Sequence, residues 1–481
     1  MAGSDGAAEI IFRPTGKTEL SWCKAVPGGT GITVLSILIS NRIDSQLLQN
    51  SLRKLQIAHP ILRSKIRFDP DSNSFSYAIP VNPAVQLQRF DLQSTAQILQ
   101  SSPAAASISP HQLLLEHELN INPWGNSAPP SDTDVFFASL YELESGKRVL
   151  ALRFHASVCD RASASALLEE LLRFAAAPEM AAETAESGLG IEEYIPSGQA
   201  DKPFWARAAD MAGYSLNSLR FAHLNFVDRN SPRTSRVARF QIGEQETDKI
   251  LSECEAQGMK LSAAIAAAGL IAAHSSKRIS EDDYEKYAVV TLVNCRPLLD
   301  PVLDANQIGK RRPPPEKKKQ FHRPLIAFIT ADAGFYHSAI INSHDVKGGE
   351  TLWPLAKRVH SSLAKAKANR KHFTDMDDIN FMTCKAIENP GFTPSRSLRT
   401  SLVTVFEEPV SEEQRFVDGL EDVLGCFSVH GIGPSVAVFD AIRGGRLDCA
   451  CVYPFPLHSR EQIRELIDEM KRILVDGSAA A

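Results

Sequence analysis

Residues 154–163 read Phe154-His155-Ala156-Ser157-Val158-Cys159-Asp160-Arg161-Ala162-Ser163, placing a histidine five positions before an aspartate. A neutral imidazole with an ordinary pKa near 6.5 can take a proton at working pH, typically adding about 10² to 10⁴ in rate. This pair therefore predicts an acid/base site. The elements that must hold it are legible on either side. Arg148 to Phe154 is short and apolar, as a strand should be, and Leu167, Leu168, Leu171, Leu172 and Phe174 fill one face of a helix. Spacing alone is a weak signal, because most histidine-aspartate pairs of this kind are surface or capping residues. Cys159 has no basic helper nearby in sequence and reads as an inert buried thiol.

The same stretch resembles the HHxxxDG or HxxxD signature of the chloramphenicol acetyltransferase superfamily, which includes peptide-synthetase condensation domains, alcohol acetyltransferases and plant BAHD acyltransferases. Leu48, Leu52 and Leu55 followed by His59-Pro60-Ile61-Leu62-Arg63 look like the helix and HPxLR turn that open condensation domains. The order of the motifs also fits, and the likeness spans nearly the whole chain. The BAHD signature DFGWG is absent, which favours the condensation-domain and alcohol acetyltransferase branch. The resemblance implies an α/β fold of two chloramphenicol acetyltransferase-like lobes, each a mixed sheet covered by helices, with a channel between them. It implies transfer of an acyl group from an acyl thioester to an alcohol or amine, with acyl-CoA as co-substrate, no permanently bound cofactor and no metal. In this family the aspartate supports the site by pairing with an arginine, and the expected pair here is Asp160 with Arg296, in Val293-Asn294-Cys295-Arg296-Pro297.

One departure bears on the mechanism. The family base lies four residues before the aspartate, and that position is Ala156, whereas His155 matches the first, usually non-catalytic, histidine. Side chains alternate along a strand, so His155 points away from the base position unless a bulge re-aims it. His155 is the first candidate base and His430 the reserve. His430 belongs to Gly425-Cys426-Phe427-Ser428-Val429-His430, where the resembled fold has a strand bridging the halves and a latch over the tunnel. Ser428 shares a face with His430. Arg161 replaces the motif's glycine near the site mouth, where it meets an acidic group or water. Ser157, Arg161 and Ser428 are the expected substrate-binding residues. A second reading, favoured by Ala156, is a catalytically inactive condensation-domain-like protein serving as a ligand-binding or protein-interaction scaffold.

The 481 residues divide into an N-terminal lobe at 1–190, a linker or crossover at 191–225 and a C-terminal lobe at 226–481. The basic, proline-rich run from Lys310 to Lys319 predicts an exposed insertion at 310–330, absent from an ordinary strand connection and readable as a gene-model artefact. Residues 92–132 read as loops with a short helix, and Leu261 to Ile271 as a helix buried all round. The net charge of −5 argues against nucleic acid as partner. No apolar run reaches a bilayer's thickness, so the expectation is a cytoplasmic monomer whose partners are a small-molecule donor and acceptor, with no membrane. Eight cysteines are too sparse for a disulfide framework, and Cys449 with Cys451 is an incomplete metal site. Gly16-Lys17-Thr18 lacks the upstream glycine of a phosphate loop, and Gly28-Gly29-Thr30-Gly31 leads into a strand, so both read as turns. Beside His372, Asp375 or Asp377 reads as a helix cap.

Overall fold

The computed structural model describes residues 10–40, 44–101, 107–125, 132–184, 188–218, 220–277, 283–303, 333–412 and 419–479. The strand Thr30–Ile39 is buried along nearly its whole length, which suits an apolar run with neighbours on both sides. It pairs antiparallel with Arg148–His155 on one side and with Leu420–Val429 on the other. Arg148–His155 pairs in turn with Phe136–Glu142, and Leu87–Phe90 closes the five-stranded sheet as a parallel edge. The two faces carry different residues, as a period of two requires. Leu150 and Leu152 meet Leu52, Leu55, Leu167 and Leu171 from the helices Ser45–Ala58 and Arg161–Ala176, while Val149 and Ala151 meet Leu114 of Pro110–Glu118.

The second sheet runs His337–Lys347, Tyr284–Asn294, Arg399–Phe406, Gly433–Arg443, Arg446–Phe455, Thr234–Ile242, with Val410–Glu412 beside Gly433–Arg443. Arg399–Phe406 is parallel to both neighbours and the other pairs on that path are antiparallel, so the sheet is mixed. The helix Leu261–Ser275 is buried at every residue from Leu261 to His274. Its alanines let the helices Leu352–Ala368 and Arg460–Ala479 pack close against it over one core.

One expectation changes. Residues 92–132 hold two helices of nine residues each, Leu92–Gln100 and Pro110–Glu118, started by side-chain caps from Asp91 and Ser109. The strand Leu420–Val429 belongs to the first sheet although it comes from the C-terminal part of the chain, and the helix Phe204–Ser218 occupies much of the expected linker. The expected insertion at 310–330 lies outside the described residues. Among the described residues no single helix is long and apolar enough to cross a membrane.

The strand Thr30–Ile39 needs glycine at its second residue. Gly31 has φ 95°, and a Cβ there would sit 2.7 Å from Trp22 Cε3 and 3.0 Å from the Ala156 Cβ. Gly146 has a comparable φ of 75° but open space around it. Gly31→Ala is therefore expected to cost about 1–3 kcal/mol, more than Gly146→Ala, with chemical denaturation of the two variants as the measurement.

Candidate active site

Asp160 ends the turn after Arg148–His155 and caps the helix Arg161–Ala176 by accepting a hydrogen bond from the Ser163 backbone N–H at 2.9 Å. It also accepts from Arg296 Nη1 at 2.9 Å and Nη2 at 3.0 Å, from the Tyr336 backbone N–H at 2.7 Å and from His337 Nδ1 at 2.8 Å. Burial alone would raise its pKa, but the Arg296 guanidinium and the His337 imidazole hold the carboxyl well below the usual carboxylate range. Arg296 follows the strand Tyr284–Asn294, stacks over the Tyr336 ring and donates a further hydrogen bond to Ser163 Oγ at 2.8 Å. The motif aspartate thus joins the two lobes.

His337 is the first residue of His337–Lys347. Because Asp160 is ionised and can only accept, the Nδ1 of His337 is the donor in this contact. Nε2 has no hydrogen-bond partner among the described residues, and His337 borders a cavity of about 500 Å³. Trp22 and Thr30 supply one wall of it, and Leu292, Phe335 and Phe427 line it further. The ring centroids of Trp22 and Phe335 lie 4.9 Å apart, and those of His337 and Phe406 5.8 Å apart. This is an imidazole oriented by a carboxylate at the edge of an apolar chamber, the arrangement a general base needs.

The residues singled out by sequence lie elsewhere. Pairing of Arg148–His155 with Thr30–Ile39 runs without a register shift, so no bulge re-aims His155. Its Nδ1 meets Ser157 Oγ at 2.7 Å and accepts from the Ser157 N–H, its ring lies 5.1 Å from that of Trp124, and burial lowers its pKa to about 3. Ser157 is occupied by that contact. Ser428 Oγ accepts from the Ile32 N–H at 3.0 Å, repairing the ladder where it is irregular. His430 lies against Gly29 with Nδ1 3.0 Å from Ser235 Oγ, and burial, with Arg399 and Arg233 nearby, lowers its pKa to about 4. Arg161 donates to Asp440 at 3.0 Å, lies over the Phe406 ring and borders a separate recess of about 50 Å³. None of these five side chains lines the large cavity. The fixed pleat and local hydrogen bonds turn them inward, and Arg161 already has its carboxylate in the opposite lobe.

Asp160 and Arg296 are brought together, while Ala156 faces the point where a Cβ on Gly31 would also touch Trp22. Sequence reasoning missed His337. Its signal is a histidine opening an apolar strand, in Gly334-Phe335-Tyr336-His337-Ser338, with no spacing rule tying it to Asp160. In the opening turn, His59 Nε2 meets Glu170 at 2.6 Å, so the HPxLR histidine anchors the helix Arg161–Ala176. Burial pushes the Cys159 thiol far above its usual range. Asp375 stands at the start of the helix Met376–Glu388 but accepts from Lys202 at 2.7 Å and Tyr214 at 2.6 Å in place of capping it.

No family model and no curated protein sequence matches this chain. Solved structures do. The TRI3 trichothecene 15-O-acetyltransferase of Fusarium sporotrichioides superposes with a TM-score of 0.67 at 9% identity, over 99% of this chain and 96% of that one. Polyketide synthase associated protein 5 of Mycobacterium tuberculosis gives 0.65 at 15% identity, over 98% and 100%. The first condensation domain of the calcium-dependent antibiotic synthetase gives 0.65 at 15%, over 97% and 96%. The chain has the two-lobed fold of condensation domains and chloramphenicol acetyltransferase-like proteins.

Removing the Asp160 carboxylate would leave Arg296 buried without its counter-charge. Asp160→Ala is expected to cost about 3–5 kcal/mol, measured by denaturation. A second expectation concerns acid. His155, His223 and His458 are each held neutral by burial, with pKa lowered to about 3 against 6.5 unfolded. Below pH 6.5 the unfolded chain binds protons that the native state refuses. Stability is thus complete above that pH and falls as pH drops towards 3, by about 1.4 kcal/mol per pH unit for each such histidine. Thermal denaturation between pH 7 and pH 4 measures the slope, and His155→Gln should flatten it.

Proposed function

We propose that this protein transfers an acyl group from an acyl thioester, acyl-CoA, to an alcohol or amine held in the cavity between the lobes, with His337 as general base. The observation that carries the reading is the His337–Asp160 contact at 2.8 Å on the border of that cavity. The acceptor's hydroxyl or amine gives its proton to His337 Nε2 while its oxygen or nitrogen bonds to the thioester carbonyl carbon. The tetrahedral adduct then expels the thiolate, which takes the proton back from the imidazolium. Asp160 remains ionised throughout and fixes the tautomer, as an orienting carboxylate does in other acid/base pairs. An apolar chamber excludes water and strengthens the charge interactions of the transition state, while holding both substrates in line lowers the entropic part of the barrier.

The structural neighbours include an acetyltransferase and condensation domains, in keeping with acyl transfer to a heteroatom. Ala156 at the usual base position favours the other reading, a channel kept for ligand binding without catalysis. Release of free thiol from acyl-CoA with a panel of alcohols and amines decides between them. His337→Ala is expected to lower kcat/KM by about 10² to 10⁴, and His155→Ala and His430→Ala to leave kcat within a few fold of wild type. Wild type inert towards every donor, or His337→Ala as active as wild type, would overturn the assignment.

A further inference from the structure

Arg399 opens the strand Arg399–Phe406, is 1% exposed and borders the large cavity at Thr30 and Gly433. Among the described residues its guanidinium is held by backbone alone. Nε donates to Ser397 O, Nη1 to Val429 O and Pro434 O, and Nη2 to Gly431 O. Among the described residues no carboxylate hydrogen-bonds or ion-pairs with it. The charged group acting on it is another cation, Arg233, and Arg399 in turn presses His223, His430 and His458 towards their neutral forms. A guanidinium carries five N–H donors, so four carbonyl acceptors leave one on Nη2 without a partner among the described residues. Thr30 also borders the cavity, and a Cβ on Gly433 would lie 4.0 Å from Arg399 Nη1 and 4.0 Å from Thr30 Cγ2; the buried Thr30 hydroxyl has no hydrogen-bond partner among the described residues. Carbonyl dipoles can hold a guanidinium in place, but they do not neutralise its charge, and buried charges are ordinarily paired.

We infer that this corner of the cavity receives the carboxylate of an otherwise apolar substrate, held by Arg399 and Thr30 at the end remote from His337. The inference rests on the acyl-transfer reading of the cavity and adds the class of substrate. Two donors, one N–H and one O–H, match the two oxygens of a carboxylate better than the three of a phosphate. The chamber between is apolar, with Val290, Leu292, Ile341 and Met376 among its walls. Arg399 to Phe406, the residue whose ring meets His337, is seven strand steps, roughly 23 Å between backbone positions at about 3.3 Å each. The chamber therefore suits a chain several methylenes long, with its anion at Arg399 and its reacting group near His337.

Equilibrium binding of decanoate, decyl phosphate and decanol to the full chain at pH 8 tests this without turnover. Wild type is expected to bind decanoate roughly tenfold or more tighter than decanol, and tighter than decyl phosphate. Arg399→Met should bring the decanoate to decanol ratio to about one. Because Arg399 also ties four carbonyls, Thr30→Val serves as the milder variant and should reduce the ratio about threefold. Equal binding of decanoate and decanol by wild type, an unchanged ratio in Thr30→Val, or a preference for decyl phosphate would each overturn the inference. His337→Ala is expected to keep the wild-type ratio. Loss of acyl transfer in that variant bears on the base alone, so the two readings fail separately.

Discussion

The Asp160 carboxylate is the contact on which the rest of the structure depends. It is an ionised group out of reach of water, and such a group is tolerated only where donors surround it. Here the donors come from both halves of the chain: Ser163 from its own helix, and Arg296, Tyr336 and His337 from the second lobe. Satisfying one charge therefore fixes the start of a helix, the relative placement of two sheets and the tautomer of an imidazole. Arg161, the next residue, adds a second tie across the lobes through Asp440.

That arrangement leaves Asp160 paired with a ring from the second lobe. A carboxylate that orients a ring nitrogen is indifferent to which strand supplies the ring. With Ala156 against Trp22 and Gly31, the first lobe sets no imidazole on the Asp160 carboxylate, and the second lobe presents His337 to it. The strand Leu420–Val429, shared with the first sheet, brings Phe427 to the cavity wall. The cavity is thus built from elements that are distant in sequence and adjacent across the lobes.

Much of the fold was legible. The apolar run at Thr33 to Ile39, the leucines of the helix after Asp160 and the alanine-rich helix at Leu261 all carry their local periods in plain view. The Asp160–Arg296 pairing followed from the family resemblance. The short helices near residues 92 and 110 were hidden by serine, alanine and proline, although Asp91 and Ser109 are ordinary caps. His155 and His430 drew attention because of their neighbours in sequence. Their rings are decided by the pleat and by Ser157 and Ser235, which satisfy them away from the cavity.

Local rules thus determined the elements, the buried faces and the aspartate that had to find a cation, because period and capping act over a few residues at a time. Which imidazole would meet that aspartate was decided only when the two sheets came together, since Asp160 and His337 stand 177 positions apart. The charge on Arg399 follows the same division. Its presence is written in the chain, but its lack of a carboxylate partner among the described residues arises from which backbone carbonyls and which other cations the tertiary fold packs around it.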